Sequence, residues 1–231
     1  EINRVLTDHI STYLFCPTQT AVDNLKKEGI KDGIYNVGDV MYDVALEVID
    51  KIDEKSVLEK FMLKPKEFVL VTIHRAENTD NIKNFMEIWE ALNKIASDGI
   101  KLFFPVHPRT KKVIQNLNLT PSSNNLILNE PISYFEMVAL EKNASVIITD
   151  SGGVQKEGYF FGTPCVVVRE ETEWVELVNI KFNSLSGINA ERIIDEVKIK
   201  LNDYLNYKEY KLNLYGDGTA SDKIIEIVAN K

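Results

Sequence analysis

The sequence predicts an α/β fold, a doubly wound parallel sheet preceded by the tail of another domain. From Phe68 onward, strand-length apolar runs alternate with helix-length segments, the rhythm of βαβ units. The runs VIIT and VVV are apolar at every position instead of every second one, as expected where helices cover both faces of a parallel strand. Folds of this kind bind ligands at the carboxyl ends of their strands.

The elements follow in order. The chain opens at Glu1, not Met, in what reads as a helix already under way, and is therefore expected to be truncated. YLFCPT, the helical QTAVDNLKKEG and the short strand GIYNV form a β-α-β piece ending at Val37 and Gly38, which sets residues 1–38 as the tail of an N-terminal domain. A helix over 39–52 and a Lys/Glu-rich stretch to Lys66 read as a connector whose charges face solvent. Residues 67–231 form the C-terminal domain. Its expected elements are the strand FVLVTI, a helix over 81–97, KLFFPV, a helix after Pro108, NLILN, a helix from Ser133, SVIITD, a helix from Gly152, and CVVVR. A helical segment after Arg169, a helix from Ala190 to about Tyr204 and a last helix over 220–230 complete it. Asn78, Thr79 and Asp80 are expected to cap the helix over 81–97, Pro108 suits a first-turn position, and Ser133 with Glu136 forms a capping-box pattern.

Composition narrows the function classes. At 231 residues and 44% hydrophobic content the chain can bury a full core, and no apolar stretch approaches the length of a membrane span. Without a basic-then-apolar leader in EINRVLTDHI, a cytoplasmic protein is expected. Against 35 acidic residues stand 27 basic ones, a net charge of −8 that opposes a general affinity for nucleic acid or anionic membrane. An anionic ligand then needs a local site. Cys16 and Cys165 adjoin apolar runs and read as reduced, buried thiols, and no CxxC, HExxH, GxGxxG or GxxxxGK[ST] pattern occurs.

Four strand ends carry polar clusters. After FVLV, His74, Arg75 and Glu77 would stand at the carboxyl edge of the sheet. After KLFF, His107 and Arg109 can serve an anion or fix a loop. After SVIITD, Ser151, Gly152 and Gly153 run straight into a helix, aiming backbone N–H groups and the positive end of the helix dipole at whatever lies above, while glycine lets a phosphate approach the backbone. Glu157, about one and a half turns in, could take the two hydroxyls of a ribose, the alternative being a solvent-facing carboxylate. After CVVV, Arg169 and Glu173 read either as sugar or diphosphate contacts or as part of a solvated helix start.

These segments resemble the non-hydrolysing UDP-N-acetylglucosamine 2-epimerases, relatives of the two-domain GT-B glycosyltransferases. The resemblance rests on CPT at 16–18, VGDVMYD at 37–43, HRAEN at 74–78, PVHPR at 105–109, TDSGGVQKE at 149–157, GTPCVVVRE at 162–170, TEWVE at 172–176 and YGDG at 215–218. It implies two Rossmann-like domains with substrate in the cleft between them, the chain being the tail of the first and the whole of the second, a GT-B-type domain. It further implies that UDP is eliminated across carbons 1 and 2 and added back with inverted configuration at carbon 2, without metal or nicotinamide, in a complete protein expected to be a homodimer. By position His74 matches the catalytic-site histidine, and Ser151, Gly152, Gly153 and Glu157 match the diphosphate and ribose contacts. Arg75, Glu77, His107, Arg169, Glu173 and Met137 complete the expected substrate contacts. The family's acid/base carboxylates would precede Glu1.

The family's Thr-Glu-Arg-Pro-Glu motif reads Thr172-Glu173-Trp174-Val175-Glu176 here, a form resembling archaeal members and epimerases of UDP-2,3-diacetamido-2,3-dideoxyglucuronate. That sugar is one alternative substrate. A GT-B glycosyltransferase donor domain and a UDP-sugar-binding module without turnover are the other readings.

Overall fold

The computed structural model describes residues 2–203 and 213–230. The chain divides into two compact units, Glu1–Asp50 with Lys211–Lys231, and Lys51–Tyr210.

In the first unit α1 (Ile2–Ile10) precedes β1 (Leu14–Cys16), α2 (Gln19–Lys27), β2 (Ile34–Asn36) and α3 (Val40–Ile49). The two strands pair in parallel, Leu14 opposite Ile34, over a small core of Leu14, Cys16, Val22 and Leu25. Sequence boundaries assign the C-terminal helix, Ala220–Ala229, to the same domain as the larger sheet, but it packs with α3. Two contacts explain this. The Asp43 carboxylate on α3 accepts the N–H groups of Ala220 and Ser221 at 3.1 and 2.7 Å, capping the helix start. Gly38, at φ +92°, passes so close to Tyr215 that a Cβ would lie 2.9 Å from the Tyr215 carbonyl oxygen. The distant VGD and YGDG segments are thus one structural feature.

The second unit begins with α4 (Glu54–Lys60) and continues β3 (Val69–Thr72), α5 (Ala76–Thr79), α6 (Ile82–Ser97), β4 (Leu102–Pro105), α7 (Pro108–Asn116), β5 (Leu126–Asn129), α8 (Tyr134–Asn143), β6 (Val146–Thr149), α9 (Gly152–Phe160), β7 (Cys165–Val167), α10 (Val175–Asn179), β8 (Ser184–Leu185) and α11 (Ala190–Asn202). All six strands of its sheet are parallel, in the order β5-β4-β3-β6-β7-β8. Alternate residues feed separate cores. Val69, Val71, Phe104, Ile148 and Val166 join α6 and α11, whereas Leu70, Phe103, Ile147, Cys165 and Val167 join α4, α8 and α9. This two-sided burial is why the strands are apolar throughout. Each such side chain contributes about 1.5–3 kcal/mol on burial.

Three local expectations are corrected. Part of the charged stretch before Lys66 is α4, which sinks Leu58 against α8 and is not a purely solvated connector. Asn78 and Thr79 do not cap α6. They form the short α5, and Asn81 supplies the cap by accepting from the N–H groups of Lys83 and Asn84. Past Arg169 the helical segment is the five-residue α10, followed by the edge strand β8, too short to leave an apolar run. Pro108 at the start of α7 and the Ser133/Glu136 capping box stand as expected, Glu136 being held near a pKa of about 2, first by Lys60 and then by the Ser133 N–H.

Candidate functional site

The strand order reverses between β3 and β6, so the loops after these two neighbours diverge and leave a crevice at their carboxyl ends. The polar clusters meet here. The Thr72 and Thr149 hydroxyls bond each other at 2.6 Å where the strands end, and Thr149 Oγ1 also accepts the Ser151 N–H at 2.9 Å. Next comes Asp150, fully buried. Its carboxylate accepts the backbone N–H groups of His74 and Arg75 and the Asn78 side-chain amide, all near 3.0 Å. The loop after β3 is thereby bound to the loop after β6.

Ser151 caps α9, and Gly152 and Gly153 form its first turn, where backbone N–H groups have no acceptor within the helix. A Cβ on Gly152 would lie 3.3 Å from Trp174 Nε1, 3.7 Å from Glu173 Oε2 and 3.8 Å from Arg75 Nη2. These side chains therefore border the turn, and a Cβ at Gly152 would sit in close contact with the Trp174 ring nitrogen. The buried Arg169 guanidinium holds Glu173 by two contacts of 2.8 and 3.1 Å, and Arg75 approaches the same carboxylate at 3.7 Å. Arg169 brings the half-exposed Glu173 carboxyl down to about 2, and Glu173 in turn raises the Arg169 pKa. Two guanidiniums thus meet one carboxylate beside the turn, and the Glu77 and Glu171 charges also act on Arg169. Lys156 stacks its ammonium 4.4 Å from the centre of the Trp174 ring.

His74 and His107 lie side by side, ring centres 5.3 Å apart, and His74 Nδ1 is 3.6 Å from Asp150 Oδ1. His107 Nδ1 accepts the Arg109 N–H at 3.2 Å and so caps α7. Burial, then the neighbouring His74 and Arg109, lower the His107 pKa, consistent with an imidazole that accepts at Nδ1. Arg109 itself pairs with Asp80.

Glu157 is buried on α9 and takes the Tyr134 hydroxyl at 2.7 Å. Burial and the Glu157 carboxylate push the Tyr134 hydroxyl pKa up.

Of the residues expected from sequence, His74, Arg75, Arg169, Glu173, Ser151, Gly152 and His107 are brought together, with Gly153 next to Gly152 in the first turn of α9. Glu77 is exposed in α5, its charge acting on Arg169. Met137 packs half-buried against the core beside α4 and takes no part in these contacts. Sequence reading did not assign Asp150, Asn78, Tyr134 or Lys156. Asp150 had a signal, an acidic residue directly at the end of the strand run VIIT. Among the described residues no three His, Cys, Asp or Glu side chains gather as a metal site, no helix is long and apolar enough to cross a membrane, and both cysteines are free and buried.

The family model for UDP-N-acetylglucosamine 2-epimerase matches residues 1–229. A UDP-N-acetylglucosamine 2-epimerase homolog of Methanococcus maripaludis is 46% identical, over 100% of this chain and 64% of that protein. The UDP-2,3-diacetamido-2,3-dideoxy-D-glucuronate 2-epimerase of Pseudomonas aeruginosa is 42% identical, over 99% of this chain and 63% of that protein. Among solved structures, Methanocaldococcus jannaschii UDP-GlcNAc 2-epimerase in complex with UDP-GlcNAc and UDP superposes with a TM-score of 0.88 at 39% identity, over 100% of this chain and 64% of that one. The chain thus spans just under two thirds of the length of these relatives.

Proposed function

Since the chain belongs to the UDP-N-acetylglucosamine 2-epimerase family, we propose that it is the nucleotide-holding part of an enzyme that interconverts UDP-N-acetylglucosamine and UDP-N-acetylmannosamine. The observation that carries this is the union, through Asp150, of the His74-Arg75 loop with the Ser151-Gly152-Gly153 turn at the switch point of the sheet. A diphosphate above that turn would meet the first N–H groups of α9 and compete with Glu173 for the guanidiniums of Arg75 and Arg169. Glu157 would take the ribose hydroxyls, and His74 would act on the diphosphate as it leaves.

In the reaction the hydrogen on carbon 2 is removed as a proton, its electron pair forms the double bond to carbon 1, and the bond from carbon 1 to the diphosphate oxygen breaks. UDP then returns to carbon 1 while a proton is delivered to carbon 2 from the other face. Charge develops on the diphosphate as the bond breaks, and preorganised donors have their largest effect there. Because the hydrogen leaves and returns as a proton while UDP leaves and returns as an anion, this route needs no hydride carrier. The same reading carries a cytoplasmic location and a homodimer for the complete protein.

The test is isotopic. The complete enzyme in D₂O, without added NAD, should incorporate deuterium at carbon 2 of its product; product formed without label would exclude elimination and re-addition.

A second reading, a 2-epimerase of UDP-2,3-diacetamido-2,3-dideoxyglucuronate, is favoured by the 42% identical relative and by Trp174 beside the turn. Turnover of the two UDP-sugars, compared directly, separates them.

A further inference from the structure

Among the charged side chains around the Gly152 turn, Glu173 has the wrong sign for an anion site. It stands in the loop between β7 and α10 with 53% of its side chain exposed, and its carboxylate reaches back to the turn, Oε2 lying 3.7 Å from the position a Cβ on Gly152 would take. There it accepts from the Arg169 guanidinium at 2.8 and 3.1 Å and has Arg75 Nη2 at 3.7 Å. A diphosphate above the first N–H groups of α9 would use the same two cations. The carboxylate and the diphosphate repel each other, and both cannot occupy the same guanidinium edges.

The chain around Glu173 is fastened, whereas its carboxylate is half in solvent. Arg169 is buried, with 6% of its side chain exposed. The Thr172 hydroxyl donates to Gln155 Oε1 at 2.7 Å and accepts the Trp174 N–H at 3.2 Å. Trp174 lies against the Lys156 ammonium, 4.4 Å from its ring centre, and its Nε1 is 3.3 Å from the same Cβ position on Gly152. Gln155 and Lys156 are buried residues of α9, so the loop on either side of Glu173 is tied to the helix whose first turn is the Gly152 turn. Rotation about the Glu173 side-chain bonds therefore carries the charge into solvent without moving the loop or the arginines.

Resting on the reading of the Ser151-Gly152-Gly153 turn as the diphosphate site, we propose that Glu173 is a positioning residue that holds Arg75 and Arg169 at the turn before ligand arrives and yields them to the diphosphate, instead of the substrate contact expected from its place in the sequence. One anion replaces another. The carboxylate leaves the guanidiniums as the phosphate oxygens reach them, so the buried Arg169 has a charged acceptor at both stages, which matters because a buried charge without its partner is strongly destabilising. The exchange also sets the affinity, since UDP binds only the share of molecules in which the carboxylate has swung away.

The experiment is titration of the 231-residue chain with UDP and with uridine, which carries no phosphate, comparing the native protein with Glu173→Gln and Gly152→Val. Gly152→Val tests the underlying site: unchanged UDP affinity there removes the diphosphate from the turn, and this inference with it. If Gly152→Val blocks UDP, Glu173→Gln decides. It should bind UDP about fivefold more tightly than native, the scale of a part-exposed ion pair that no longer competes, and uridine within about twofold of native. Unchanged or weaker UDP binding overturns the proposal. A comparable gain for uridine overturns it as well, because the substitution then reshapes the pocket instead of removing a competitor for the phosphates. A second measurement depends on no variant: in a crystal structure of the native chain with UDP bound at the turn, Arg169 should bond a phosphate oxygen and the Glu173 carboxylate should stand more than about 4 Å from both guanidiniums, beyond ion-pair range. A carboxylate still seated between the two arginines overturns the exchange.

Discussion

The Asp150 carboxylate accepts the backbone N–H of His74 at 3.0 Å from a fully buried position, so the side chain directly after β6 fixes the path of the chain leaving β3. Arg75 and Asn78 are further donors to the same carboxylate, and the His74 ring nitrogen Nδ1 lies 3.6 Å from it. The histidine and arginine that face the turn are therefore held by their main chain, and their side chains remain available for a ligand.

Replacing Asp150 by Asn puts an amide against N–H donors that need an acceptor. We expect a loss of about 2–4 kcal/mol in stability, the scale of breaking a buried charged network, read as a lower denaturant midpoint. A loss under about 0.5 kcal/mol, the range of surface substitutions, would show that the clamp does not hold the loop.

Gly152→Val should abolish UDP binding, since its branched side chain would fill the space above the turn and press on Trp174, Glu173 and Arg75. Glu157→Ala should weaken UDP by about 1–3 kcal/mol through lost charge-assisted hydrogen bonds. Calorimetry on the folded variants measures both, and unchanged affinity in both would remove the diphosphate from this turn.

Much of this site was legible because strand ends are marked twice, by the end of an apolar run and by the polar residues that follow. Ser151-Gly152-Gly153 adds the change from strand to helix, which is itself a sequence pattern. What stayed hidden has a common cause. Asp150 meets His74 and Asn78 only when β3 and β6 become neighbours, and strand order is not written in any one segment. Likewise Glu141 reads as one more surface charge on α8, yet it is fully buried in the fold. That the C-terminal helix packs with α3 was not legible, because the glycines at 38 and 216 signal close approach without naming what approaches. Leu58 was lost among the lysines and glutamates of α4, which is charged on every face but one.

His107 supplies a pH dependence. The fold lowers its pKa, by burial first and then by His74 and Arg109, so near pH 6 the unfolded chain binds more protons than the folded one. The stabilisation is present above the unfolded value of about 6.5 and is lost as pH falls through the lower folded value. His107→Ala should therefore flatten the stability profile between about pH 7 and pH 5, and should cost about 0.5–1 kcal/mol at neutral pH through the lost α7 cap. An unchanged slope in the variant would assign the acid sensitivity to other groups.

His74 is expected to act on the leaving diphosphate. It ends the loop from β3, its backbone is fixed by Asp150, and its ring remains partly exposed at the crevice, 39% of the side chain being accessible. Because Asp150 holds the main chain, His74→Asn removes the imidazole without releasing the loop, and the protein should stay folded. In the complete enzyme kcat should fall about 10²-fold or more, the scale of removing one preorganised donor from a developing oxyanion, while UDP affinity falls less. His107→Asn gives the contrast. Its ring lies beside His74 but is turned to capping α7, so its loss should raise KM more than it lowers kcat. If His74→Asn leaves kcat within a few-fold of native, or unfolds the protein, the histidine is structural and the charge on the leaving diphosphate is met by the N–H groups of α9 and the two arginines alone.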